Sequence, residues 1–202
     1  GFSGSYGVYH SVYDSYAWMS TFGDPGFTFH ATSARLAAAM MMRMANADVL
    51  PYDYVEFART MQKYVPAVQS ALGAAGWKTL SAAPIADAVT RMEQAAVAYH
   101  TARDRALANG VSAAVAKNTN EALLKVERAL TRPEGLKTRP WFRNLIYVAD
   151  ENNGYANMVF PSVNEAIRSG DQALTQREIL DLAKRFDAAT AAVNAARAAL
   201  TP

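Results

Sequence analysis

No cysteine occurs among the 202 residues. The chain therefore has no disulfide framework, no thiolate zinc site and no thiol nucleophile. This leaves the compartment open, because a chain of this size can bury a core without disulfides. Histidine is scarce: His10, His30 and His100 lie far apart, with no His-x-x-x-His pair. A catalytic zinc needs about three protein ligands and an open position, so on composition each histidine reads as a surface or packing residue. Charged residues make up 19% and the net charge is +2. Without a Lys/Arg cluster the chain lacks the electrostatic footprint of a nucleic-acid binder. No apolar run reaches the roughly 18 residues of a membrane helix. The nearest approach, about Leu36 to Met44, is short and contains Arg43. Gly-x-Ser-x-Gly elbows and phosphate-binding glycine loops are also absent.

Apolar residues are plentiful, at 51% of the chain, which is a globular rather than a disordered composition. The length allows one large domain, or one domain plus a piece of another. Alanine is about a fifth of the chain and favours helix. The opening, Gly1-Phe2-Ser3-Gly4-Ser5-Tyr6-Gly7, starts without Met or a signal peptide and reads as a loop from inside a protein. A fragment of a longer protein is expected.

Residues 1–26 are rich in Gly, Tyr and Ser, and the aromatic stretch from Tyr9 to Trp18 reads as loop or short helix. Asp24-Pro25 marks a helix start. The spacing of Leu36, Met40, Met44 and Ala47 predicts a helix over about 28–47, apolar on most sides and so expected to be buried. Asp53 with Glu56 resembles a capping box opening a second helix to about Leu72, in which Pro66 should kink or end the helix. A third helix is predicted from about Pro84 to Asn109, with Ile85, Val89, Met92, Ala96 and Tyr99 on its apolar stripe. Ser112 should cap a fourth over about 113–130. A short helix is expected at about 162–168. A last helix, about 176–200, follows Thr175 and Glu178 read as a capping box. Alternating strands are lacking. The fold class is all-α, with about four long helices in a bundle after a loop-rich N-terminal segment.

The stretch from Arg132 to Pro161 is about 30 residues long and irregular, a length that is uncommon in compact domains and often functional. Its aromatic residues require it to pack against something. Asp150-Glu151-Asn152-Asn153 is rich in oxygen ligands, but its spacing does not fit an EF-hand, and an exposed turn is the simpler reading. The Met40-Met41-Met42 and Met44 cluster reads as core, although Met-rich faces also bind partners.

Certain motifs occur in a fixed order. Phe2-Ser3-Gly4 is followed by Tyr9-His10-Ser11-Val12-Tyr13-Asp14, Phe22-Gly23-Asp24-Pro25 and Leu50-Pro51-Tyr52-Asp53. Later come Arg139-Pro140-Trp141-Phe142-Arg143, Ile146-Tyr147, Gly154-Tyr155-Ala156 and Phe160-Pro161. Over nearly the whole chain this series resembles the C-terminal part of the glutamate carboxypeptidase II and transferrin receptor family.

The resemblance implies that residues 1–48 are the last segment of a zinc peptidase domain and residues 49–202 a helical dimerisation domain, with the catalytic core absent from this chain. It implies a homodimer. It makes His10 a ligand of one of two zinc ions in the parent protein, with no zinc stably held by this fragment. Tyr9 would donate a hydrogen bond to a developing oxyanion. Tyr155 would bind the terminal carboxylate of a peptide substrate. The family's Lys beside that tyrosine is replaced here by Gly154, so glutamate specificity does not carry over. The loop from Asp150 to Phe160 would form a wall of the substrate pocket. The parent would be a zinc-dependent exopeptidase, periplasmic or extracellular. The alternative is a non-catalytic, transferrin receptor-like protein that keeps the helical domain.

Overall fold

The computed structural model describes residues 7–200 and divides into two compact units, the first ending at Ala47 and the second beginning at Asp48. The Phe2-Ser3-Gly4 step of the motif series lies outside the described residues.

In the first unit a three-residue helix, α1 (Tyr16–Trp18), starts where the Ser15 hydroxyl accepts from the Trp18 N–H. A π-turn (Met19–Gly23) and a 3₁₀ turn (Pro25–Phe27) lead into α2 (Thr28–Ala45). Gly26 and Phe27 both take left-handed backbone, φ 77° and 54°, and this reversal redirects the chain into α2. The Asp24 carboxylate accepts from the Phe29 and His30 N–H groups at 3.1 and 2.9 Å, satisfying donors that a helix start leaves unpaired.

Within this chain the helix expected to be buried at 28–47 is exposed instead. The helix ends at Ala45, and every residue of α2 is exposed, including Leu36, Met40, Met41 and Met42. Apolar composition favours burial, but burial also needs a surface to pack against. Among the described residues of this unit only Asp24 is buried.

The second unit has a true core. Asp53 caps α3 (Tyr54–Ala74) by accepting from the Val55 and Glu56 N–H groups. Tyr54, Ala58, Met61, Val65, Val68 and Leu72 recur at helical spacing and are buried. Pro66 does not end α3, which was one of the two outcomes expected of it. It lies on the exposed side of the helix, where water can serve the carbonyl that proline leaves without a donor.

The chain continues as α4 (Ala83–Asn109), then α5 (Ala113–Ala129), which Ser112 caps through the Val115 N–H at 3.3 Å. The long α7 (Gln172–Ala199) packs against both α4 and α5, while α3 packs on α4. Met92, Tyr99, Leu123, Leu182 and Phe186 are fully enclosed between these four helices. The expected bundle of about four long helices is present.

The last helix begins earlier than its sequence suggested. Asp171 is the cap, accepting from the Leu174 N–H at 2.8 Å. Thr175 and Glu178, read as a capping box, sit about one and two turns inside and are buried. The Thr175 hydroxyl donates to the Asp171 carbonyl, and Glu178 receives Arg132.

The 132–161 stretch contains a hairpin that the sequence did not reveal. β1 (Tyr147–Ala149) pairs antiparallel with β2 (Asn157–Val159), with Val148 opposite Met158 and both buried. Strands of three residues are too short to show alternation. A short helix follows, α6 (Pro161–Arg168). At its start Phe160 holds left-handed backbone, φ 50°, with its ring fully buried edge-on to Phe186, centroids 6.2 Å apart. Gly135 takes φ 68°, and a Cβ there would meet the Pro140 carbonyl oxygen at 2.0 Å, so only glycine fits.

Candidate functional site

The candidate residues fall in both units. In the first, residues 7–13 form a chain of turns, closed by a Ser11 N–H to Val8 carbonyl bond of 3.0 Å and a Tyr13 N–H to Ser11 hydroxyl bond of 3.1 Å. Tyr9 and His10 are exposed, and their rings stack with centroids 3.8 Å apart and planes 21° from parallel. His10 stands at φ 61°, and its N–H donates to the Asp14 carboxylate at 3.2 Å. Histidine tolerates left-handed backbone better than most residues, yet such conformations still cost about 1–3 kcal/mol and cluster at functional sites. The last residue of Tyr9-His10-Ser11-Val12-Tyr13-Asp14 thus holds the turn that presents His10.

A second arrangement in this unit was missed in the sequence. The His30 ring Nδ1 lies 2.6 Å from the buried Asp24 carboxylate. Burial alone would raise the Asp24 carboxyl, but the His30 ring and the two backbone donors hold it below its ordinary value. The six-residue spacing matches neither helix nor strand. It comes from the left-handed steps at Gly26 and Phe27, which no local pattern announces.

In the second unit, Tyr155 is 90% exposed at the tip of the β1–β2 hairpin. The seven-residue loop is closed on itself: the Asp150 N–H donates to the Ala156 carbonyl, and the Asn153 side chain accepts from the Tyr155 N–H. The Asp150 carboxylate accepts from Arg168 at 2.7 Å and from the Asn152 N–H at 2.8 Å. Arg168 and these backbone donors bring the Asp150 carboxyl down to about 2. The acidic stretch at 150–153 is therefore a braced turn. Gly154 has open space where a Cβ would stand, so the position can hold a side chain.

Buried ion pairs tie this hairpin region to the bundle. Arg139 pairs with Glu165 of α6, donates to the Ala149 carbonyl next to the loop, and lies over the Phe142 ring. Arg132 reaches Glu178 at 2.7 Å and Asp181 at 3.2 Å on α7. The motif Arg139-Pro140-Trp141-Phe142-Arg143 owes its first residue to this bracing. Nothing local in the motif announces the partner of Arg139, which lies 26 residues away.

Among the described residues, no group of three or more His, Asp or Glu side chains converges as a metal site. His10 is therefore at most one ligand, and by itself it does not make a zinc centre. No helix among these residues is long and apolar enough to cross a membrane.

Known proteins set these features in context. The chain is 30% identical to a probable glutamate carboxypeptidase of Arabidopsis thaliana over 87% of its own length and 25% of the relative's. It is 25% identical to an aminopeptidase of Rattus norvegicus, over 98% of the chain and 26% of that protein. It is 23% identical to an inactive zinc metalloprotease of Schizosaccharomyces pombe, over 89% of the chain and 23% of that protein. The chain thus spans about a quarter of the curated relatives it matches. These relatives agree with the resemblance carried by the ordered motifs, to the C-terminal region of glutamate carboxypeptidase II family peptidases. Residues 80–194, more than half of the chain and most of the helical bundle, match the transferrin receptor-like dimerisation domain, and the chain belongs to that family.

Proposed function

We propose that this chain is the dimerisation module of a zinc-dependent exopeptidase and also supplies part of the wall of its substrate pocket. In this reading residues 1–48 close the peptidase domain and residues 49–202 form the homodimer contact. His10 contributes one ligand to a two-zinc site whose other ligands are not in this chain. Tyr9 donates to the oxyanion, and Tyr155 binds the terminal carboxylate of the peptide. The protein acts in the periplasm or outside the cell, and the chain alone is inactive.

The observation that carries the reading is the Tyr9-His10 turn. An exposed imidazole is held on left-handed backbone by Asp14 and stacked on the tyrosine that the family motif pairs with it. Support also comes from Tyr155, whose phenol stands in solvent on a loop braced by Asp150 and Arg168. Because Gly154 carries no ammonium to pair with an acidic side chain, no preference for a terminal glutamate is expected.

The competing reading is a non-catalytic, receptor-like protein, favoured by the match to the transferrin receptor-like dimerisation domain and by the inactive zinc metalloprotease among the similar proteins. Zinc content and dipeptide hydrolysis of the full-length gene product separate the two. The enzyme reading expects bound zinc and turnover, with His10→Ala losing part of the zinc and at least about a thousandfold in kcat. A full-length protein with neither zinc nor turnover would establish the receptor-like reading.

A further inference from the structure

The second unit has a pocket that takes no part in the proposed function. It lies between the start of α3, the C-terminal half of α5 and the beginning of β1, and has a volume of about 230 Å³. That is below the roughly 300–1,000 Å³ of sites for drug-sized ligands, so only a compact molecule fits. Four aromatic side chains line it: Tyr52, Tyr54, Phe57 and Tyr147. The Tyr52 and Tyr54 rings stand 5.8 Å apart at 58° and so present non-parallel walls. The Tyr54 hydroxyl donates to the Leu123 carbonyl at 3.0 Å, which fixes that ring.

The charge of the lining is one-sided. Glu127 is its single ionised group, and among the described residues no Lys or Arg lines the pocket or pairs with Glu127. Burial raises the Tyr54 phenol well above its ordinary value, and the negative charge of Glu127 adds to that rise. Aromatic faces are electrostatically negative. A carboxylate beside four of them makes a field that favours a cation. A hard metal ion is a poor match, since calcium takes six to eight oxygen ligands and magnesium an octahedral shell, and this lining is mostly carbon. A strongly hydrated ammonium would have to shed water against apolar walls. An alkylated ammonium carries its charge behind methyl groups and meets both requirements.

We propose that this pocket binds a compact alkylated-ammonium ligand, held by cation–π contact with the tyrosines and by the charge of Glu127. The test is a heteronuclear NMR titration of the 202-residue chain with choline. The control ligand is 3,3-dimethylbutan-1-ol, which has the same shape without the charge. The expected result is saturable choline-induced shifts at Tyr52, Tyr54 and Tyr147, with the neutral analogue at least about fivefold weaker. Glu127→Gln should weaken choline by a similar factor and leave the neutral analogue unchanged. Glu127 is exposed, so this variant should fold. Tyr147→Leu, also at an exposed position, should weaken choline more than the neutral analogue. Equal binding of the two ligands would overturn the proposal and leave a plain apolar cavity. So would the absence of saturable shifts in the unmodified chain.

Discussion

Helices α2 and α7 are written in similar letters and end in opposite surroundings. Both are rich in alanine and carry larger apolar residues at helical spacing. In α7, Leu182, Phe186, Ala189, Val193 and Ala196 are all but completely buried. In α2, Leu36 and the four methionines are exposed. The contrast teaches that an apolar stripe records what a helix can bury, and that burial itself depends on neighbouring elements. α7 has α4, α5 and α6 around it. Among the described residues of its own unit, α2 packs chiefly on the short Pro25–Phe27 turn.

The largest expected effect breaks the comparison directly. Phe186→Ala should lose roughly 3–5 kcal/mol of stability, because it removes a fully buried ring and leaves a cavity. Leu36→Ala should change stability by no more than about 0.5 kcal/mol. Chemical denaturation with amide exchange on each unit measures both. A loss at Leu36 as large as that at Phe186 would show that α2 is covered in solution.

A comparable loss is expected where charge is buried. Glu165→Leu leaves the Arg139 guanidinium enclosed without its carboxylate and should cost roughly 3–5 kcal/mol. The double variant Glu165→Leu with Arg139→Leu should recover much of that loss. Failure of the double variant to recover would mean that the Arg139 bond to the Ala149 carbonyl, rather than the ion pair, holds the hairpin.

The smallest effect concerns acid. Asp150 in the second unit and Asp24 in the first both have carboxyls lowered by their partners. A lowered folded-state value stabilises the protein above the ordinary carboxylate range, near 4, and that contribution fades as pH falls. For Asp150 the window runs from about 4 down to about 2. Protection of the Asn152 and Ala156 amides, measured against their intrinsic exchange rates, should fall across that window. In Asp150→Asn their protection should already be low at pH 5, and the step should disappear. A step that persists in the variant would place its origin in another carboxylate.

Much of the bundle was legible because its signals are local. Asp53 and Ser112 cap their helices where the sequence placed them, and the stripes of α3, α4 and α5 follow a 3.6-residue period. The start of α7 was misread because Thr175 and Glu178 have the spacing of a capping box, while their actual partners, Asp171 and Arg132, are identified only in the folded chain. The candidate site residues were legible only as motifs. Nothing in Tyr9-His10-Ser11 states that His10 takes left-handed backbone, and nothing local links Asp24 to His30.

Residue order by itself determined the helical class, the main element boundaries and the family, because helix periodicity, caps and ordered motifs act over a few residues at a time. Tertiary structure decided which apolar helix is covered. It also decided that Pro66 is tolerated, that three-residue strands pair into a hairpin, and which buried arginine meets which carboxylate. These outcomes depend on surfaces and charges brought together from distant parts of the chain: Arg132 lies 46 residues from Glu178 and Arg139 lies 26 from Glu165. Their free energies exist only once those parts are packed.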